Sequence, residues 1–331
     1  MTKHGVSVVH QAAHAVSAVC YGAPVPPVDA ATTRFTCDDL PMPPRPDAQP
    51  SALARSNLIA HAVMFLSGPL ADSRTCRENV DAAEDRHPDV ARAREIVSWM
   101  LSDRTAALSE IMRGELTINA TEFLDMWESS ISAVVAAALQ RGSVTPDQVQ
   151  GLVAPAIEHS QRLAAYHEAA HAVTLWLEGD HQVPTAIELG RSPAESSQNL
   201  PVVRAYSREF YQAPVAINAR DRELAVRELE QVVAGEEMAR LIDPNYPGAV
   251  RARGDRQEAH RLAGKLADPG GHESAEVIEA RARSTAVQRL QTPEARALVD
   301  SLASALLAQS RLGEDEIRRV LLKAQEQFKA N

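Results

Sequence analysis

His167 and His171 stand four positions apart in the stretch Tyr166-His167-Glu168-Ala169-Ala170-His171-Ala172-Val173, with Glu168 between them. On a helix, positions i and i+4 share a face, so two imidazoles at this spacing can be aimed at one divalent ion. A glutamate beside the first histidine is then placed to take a proton from an attacking water. The pattern reads as the zinc helix of a metallopeptidase. It occurs again, altered, in Val9-His10-Gln11-Ala12-Ala13-His14-Ala15-Val16. Both histidines keep their spacing there, but Gln11 stands where the base belongs, and a carboxamide cannot accept a proton as a carboxylate does.

The echo extends along the chain. His10 and His14 precede His167 and His171 by 157 positions; His87-Pro88-Asp89-Val90-Ala91-Arg92-Ala93-Arg94 resembles Arg253-Gly254-Asp255-Arg256-Gln257-Glu258-Ala259-His260 at an offset of 166; Ser143-Val144-Thr145-Pro146-Asp147-Gln148-Val149 runs parallel to Arg311-Leu312-Gly313-Glu314-Asp315-Glu316-Ile317 at 168. An offset that grows in one direction is expected of a tandem duplication whose second copy carries insertions. The chain therefore reads as two domains, 1–154 with the altered motif and 155–331 with the intact one, joined near 154–159.

Periodicity supplies the elements that must position these residues. A helix over 5–20 carries the altered motif, and a proline-rich segment over 23–51 follows as a loop with at most a short strand. Helices are expected over 57–66, 89–100 and 122–139, with Gly68-Pro69 marking an interruption. In the second copy the motif helix spans 157–177 and Gly179-Asp180 supplies its stop. Residues 185–189 alternate apolar and polar and read as a short strand beside the motif helix. Further helices are expected over 222–242, 255–266, 273–291, 292–309 and 314–328. The fold class is mainly α: two tandem zincin-like helical domains, each with at most a small β element.

The second half resembles the peptidase domain of the FtsH-type AAA+ zinc proteases, whose metal helix reads tyrosine-histidine-glutamate-alanine-glycine-histidine-alanine; Ala170 here replaces the glycine. The resemblance continues through Val233-Ala234-Gly235-Glu236-Glu237, through Gly254-Asp255 before a helix, and through the alanine- and leucine-rich end of the chain. It implies zinc as the cofactor and Asp255 as the third ligand. Glu236 and Glu237 compete for that role, since other zinc peptidases take a glutamate from a following helix, and both also fit a solvated helix start. Asp255 with Glu258 also fits a capping box. By the duplication, His10, His14 and Asp89 form a corresponding first-copy site. No GxxxxGK[ST] phosphate loop occurs, so an unfoldase is left to a separate partner. The implied activity is a zinc-dependent endopeptidase with Glu168 as general base, acting on protein or peptide substrates. The other reading is a non-catalytic adaptor with structural zinc.

Composition bounds both readings. The chain has 331 residues, 45% of them hydrophobic and only 4% aromatic, which favours alanine-mediated close packing of helices. A net charge of −10 without a concentrated basic face argues against a nucleic-acid partner. Cys20, Cys37 and Cys76 have no paired metal-ligand spacing and read as reduced thiols, with Cys20 packed on the first helix. No apolar run reaches membrane-spanning length, and a cytoplasmic location is expected.

Overall fold

The computed structural model describes residues 7–31, 40, 42–46, 52–76, 87–101, 106–178, 182–189, 219–246, 253–267 and 273–330. Among them are ten helices and two antiparallel strand pairs, so the fold is mainly α. No described helix is long and apolar enough to cross a membrane. The described chain divides into two compact units, the first ending at Glu158 and the second beginning at His159.

The first unit begins with helix α1 (Val8–Tyr21), capped by the Ser7 side chain and ended by Gly22 in the left-handed conformation with φ 68°. Strand β1 (Val28–Asp29) follows, then α2 (Ala52–Cys76), α3 (Pro88–Leu101), the 36-residue α4 (Ala106–Arg141), strand β2 (Ser143–Val144) and the start of α5 (Pro146–Glu178). β1 and β2 pair antiparallel, Val28 opposite Val144. The small residues Ala12, Ala13 and Ala15 of α1 are fully buried, which lets the helix sit close against α2.

The second unit holds the remainder of α5, strand β3 (Ala186–Glu188), α6 (Ala219–Ile242), α7 (Arg253–Leu266), α8 (Ala275–Leu290), α9 (Pro293–Gln309), strand β4 (Arg311–Gly313) and α10 (Glu314–Ala330). β3 pairs with β4, Ile187 opposite Leu312. Ala169, Val173 and Trp176 of α5 share one apolar cluster with Leu298, Leu302 and Leu306 of α9 and with Ile317 and Leu321 of α10. Leu229, Leu262 and Ala282 join α6, α7 and α8 in another.

Element by element the units correspond. In each, a two-residue or three-residue strand leads into a helix whose start is tied back by a side chain three residues on: Thr145 N–H donates to Gln148 Oε1 at 3.0 Å, and Gly313 N–H donates to Glu316 Oε2 at 2.9 Å. The long α4 corresponds to α8 and α9 together, where Thr292 and Pro293 cap a new helix.

Three expected boundaries shift. Gly68-Pro69 does not interrupt α2, which runs through both. The 122–139 helix starts sixteen residues earlier, at Ala106. The motif helix expected at 157 begins at Pro146 and passes through Pro155, because the Thr145–Gln148 cap starts it and a single missing N–H does not end it. The expected stop at Gly179-Asp180 lies outside the described residues.

Candidate metal centres

On α5, the helical spacing brings His167 Nε2 and His171 Nε2 to 3.0 Å from one another. Asp255, in the first turn of α7, adds a carboxylate oxygen 2.8 Å from His167 Nε2 and 3.3 Å from His171 Nε2. Three ligands at 2.0–2.1 Å from a tetrahedral metal ion lie about 3.3 Å apart, so the triangle has the size such an ion requires. His171 Nδ1 lies 2.7 Å from the Gln231 carbonyl oxygen. A carbonyl can only accept, so Nδ1 donates, and once the ring is neutral its Nε2 lone pair is left for an ion.

The helix opposite makes room. A Cβ at Gly235 in α6 would fall 2.4 Å from His171 Nε2 and 2.7 Å from His167 Nε2. Only a residue without a side chain allows both rings to approach this turn.

The field of the centre favours positive charge. Burial works against a protonated His171, but the Asp255 charge and hydrogen bond outweigh it and push the imidazole up to about 9. Burial likewise opposes an ionised Asp255, and the two histidines still hold its carboxyl well below the usual range. A divalent cation displacing those protons would meet the same attraction. Glu168 is buried beside the triangle, and burial raises its carboxyl to about 6 against the pull of His167 and His171. Its Oε2 has no hydrogen-bond partner among the described residues.

Glu236 and Glu237 do not lie at a solvated helix start. Both are buried in the middle of α6, where Glu236 pairs with Arg240 at 2.6 Å, with Arg256, and with Arg283 at 2.8 Å, and Glu237 pairs with Arg240 and Arg283 at 2.8 and 2.6 Å. Burial opposes the Glu236 charge, but the guanidinium groups lower its carboxyl below the ordinary value. Arg256 follows Asp255 directly, so this cluster fastens the first turn of α7 to α6 and fixes where Asp255 points. Glu258 bonds Arg261, and Asp255 lies inside the first turn of α7 rather than at its cap.

The first unit repeats the arrangement. His10 Nε2, His14 Nε2 and Asp89 Oδ2 stand 3.0, 3.1 and 3.1 Å apart, with Asp89 in the first turn of α3. His14 Nδ1 meets the Met64 carbonyl at 2.8 Å, as His171 meets Gln231. A Cβ at Gly68 would fall 2.3 Å from His14 Nε2 and 2.6 Å from His10 Nε2. The glycine read as a helix breaker is thus the counterpart of Gly235, 167 positions earlier. Burial opposes the Asp89 charge, yet the hydrogen bonds from His10 and His14 hold its carboxyl far below the usual range; burial lowers His14, while His10 is raised by Asp72 and Asp89 against its burial.

Three details separate the two centres. His10 Nδ1 bonds Asp72 Oδ2 at 2.8 Å, whereas the buried His167 Nδ1 has no partner among the described residues. Ser7, the cap of α1, also bonds Asp72. Gln11 Nε2 donates to the Asp29 carbonyl at 3.2 Å and its Oε1 accepts the Asp29 N–H at 2.9 Å. Asp72, Met64 and Gln231 carry no motif in the sequence; Gly235 lies in a segment of the family resemblance without a role assigned to it, and Gly68 reads as a helix break.

No protein-family profile matches this chain, and no curated protein matches it.

Proposed function

We propose that the second unit is a zinc-dependent endopeptidase, with His167, His171 and Asp255 as ligands and Glu168 as general base. The observation that carries the reading is the Glu168 carboxylate, buried beside three converging ligand atoms with one oxygen that has no hydrogen-bond partner among the described residues. A buried, unsatisfied carboxylate oxygen costs stability, and a role in proton transfer accounts for it. Neutral imidazoles and one carboxylate form a donor set suited to zinc, and three protein ligands leave a coordination position open. When bound, zinc supplies Lewis acidity to the attacking water and to the carbonyl under attack.

The chain's own residues do the rest. Glu168 takes a proton from the attacking water and returns it to the departing amine, a role open to a carboxylate that sits one residue from a ligating histidine. The outer edge of β3 orients the substrate. Leu189 N–H bonds Ser310 O and Thr185 O accepts from Glu314 N–H, so odd-numbered residues face β4 and Glu188 directs its N–H and C=O away from it. An extended peptide can add there through backbone hydrogen bonds alone, which gives wide tolerance of side chains.

The test is Glu168→Gln in the full chain. The expected result is unchanged zinc content with cleavage of an unfolded protein substrate slowed by about 10²–10⁴-fold. Cleavage at the original rate would remove Glu168 as the base, and absence of cleavage by the zinc-loaded original chain would favour an adaptor with a structural ion.

A further inference from the structure

We infer that the first unit holds its own zinc ion, at His10, His14 and Asp89, in a site that Gln11 closes to substrate, so that the ion there is structural.

The ligand triangle alone does not carry this; the hydrogen bonds behind it do. The Asp72 carboxylate and the Met64 carbonyl can only accept, so the Nδ1 atoms of His10 and His14 are both donors. In the neutral rings each Nε2 then carries the lone pair, and the two atoms stand 3.0 Å from one another and 3.1 Å from an Asp89 oxygen. Protons on these rings can bridge to Asp89, and a divalent cation that replaces them meets all three ligand atoms at once. The other Asp89 oxygen, Oδ1, is buried with no hydrogen-bond partner among the described residues. Carboxylate support behind a ligating histidine is the usual second layer of a metal site, and here it reaches from the α1 cap through Asp72 to His10. Gly68 leaves the space clear.

The same centre lacks what hydrolysis needs. Gln11 has no proton-accepting carboxylate. Its carboxamide also occupies the outer edge of β1: Ala30 N–H bonds Gly142 O, so residues 28 and 30 face β2 and Asp29 faces outward. Gln11 bonds both the N–H and the C=O of Asp29, as an added strand would. The edge that in β3 has no backbone partner among the described residues is filled here by a side chain of the motif itself. Glutamate could not do this, because its two acceptor oxygens have no hydrogen for the Asp29 carbonyl.

The experiment leaves the first site untouched. His167→Ala/His171→Ala removes both imidazoles of the second centre from the full chain, with circular dichroism as the check on helical content. After loading with zinc or cobalt(II), the original chain is expected to hold two ions and this variant one, with tetrahedral cobalt absorption retained. Adding Asp89→Asn is expected to remove the last ion. A helical double variant that holds no ion overturns the inference and leaves the second-unit peptidase standing. An ion that persists after Asp89→Asn also overturns it, and so does cleavage of an unfolded protein by the singly loaded variant, because the site would then not be closed. Loss of the second ion only, with no cleavage by the doubly loaded original chain, sinks the peptidase and spares this site.

Discussion

A glycine inside a helix ordinarily costs about 1 kcal/mol relative to alanine, so replacing it should stabilise. Gly264, in the second unit, has open space where a Cβ would go, and Gly264→Ala should follow that rule with a gain of about 0.5–1 kcal/mol. Gly235→Ala should reverse it. The added methyl would press on both Nε2 atoms and drive the rings out of the triangle. Thermal melting of the two variants with metal analysis decides the point: Gly264→Ala melts higher with its zinc intact, whereas Gly235→Ala melts lower and loses one ion. A rise in melting temperature for Gly235→Ala with full zinc would show that the glycine holds no space for a ligand. At the same scale, Gln11→Glu puts two acceptors against the Asp29 carbonyl and should cost about 1–3 kcal/mol, read as a lower melting transition; no change would mean the bridge to Asp29 contributes nothing.

Among the elements, α5, α6 and α8 meet at a charge cluster in which Arg289 serves both Glu178 and, at 3.1 Å, Glu230. Burial raises the Glu178 carboxyl to about 7, with Arg289 opposing and Glu230 adding to the rise. An acid raised in the folded state binds its proton more tightly there than in the unfolded chain. Its contribution is therefore fully present below its ordinary value of 4.5 and is lost as pH climbs toward about 7. Glu178→Gln should flatten the stability profile across that window. Denaturant midpoints of the original and the variant at pH 5 and pH 7 check it, and parallel profiles would rule the contribution out. The helices themselves were legible from periodicity and both histidine pairs from their spacing, whereas Asp255 came through the family resemblance and Asp89 through its offset from Asp255. What failed depended on partners far along the chain. Glu236 and Glu237 read as solvated because Arg256 and Arg283, 20 and 47 residues beyond Glu236, cannot be assigned to them from spacing. Gly68-Pro69 read as a break because the rings it accommodates belong to another helix. The Met64 and Gln231 carbonyls carry no residue signature at all, since any amino acid supplies one.

Across the whole molecule the two units share a plan and differ in access. The first unit's ligands are withdrawn from solvent, His10 and His14 with side chains 0% exposed and Asp89 with 3%. In the second unit the Asp255 side chain is 16% exposed and that of His167 8%. Where the second unit fastens its aspartate with arginines, the positions matching Glu236, Glu237 and Arg256 hold Pro69, Leu70 and Val90. The shared plan thus survives an exchange of polar ties for apolar side chains. The difference in access has a temporal consequence as well. An ion held at the proposed first site, whose ligands are withdrawn from solvent, should leave more slowly than one held by the partly exposed Asp255 and His167. Timed dialysis should therefore go through a stage in which hydrolysis has ceased while about half of the metal is still in place. Simultaneous release of both ions would mean that burial of the ligands gives no kinetic shelter.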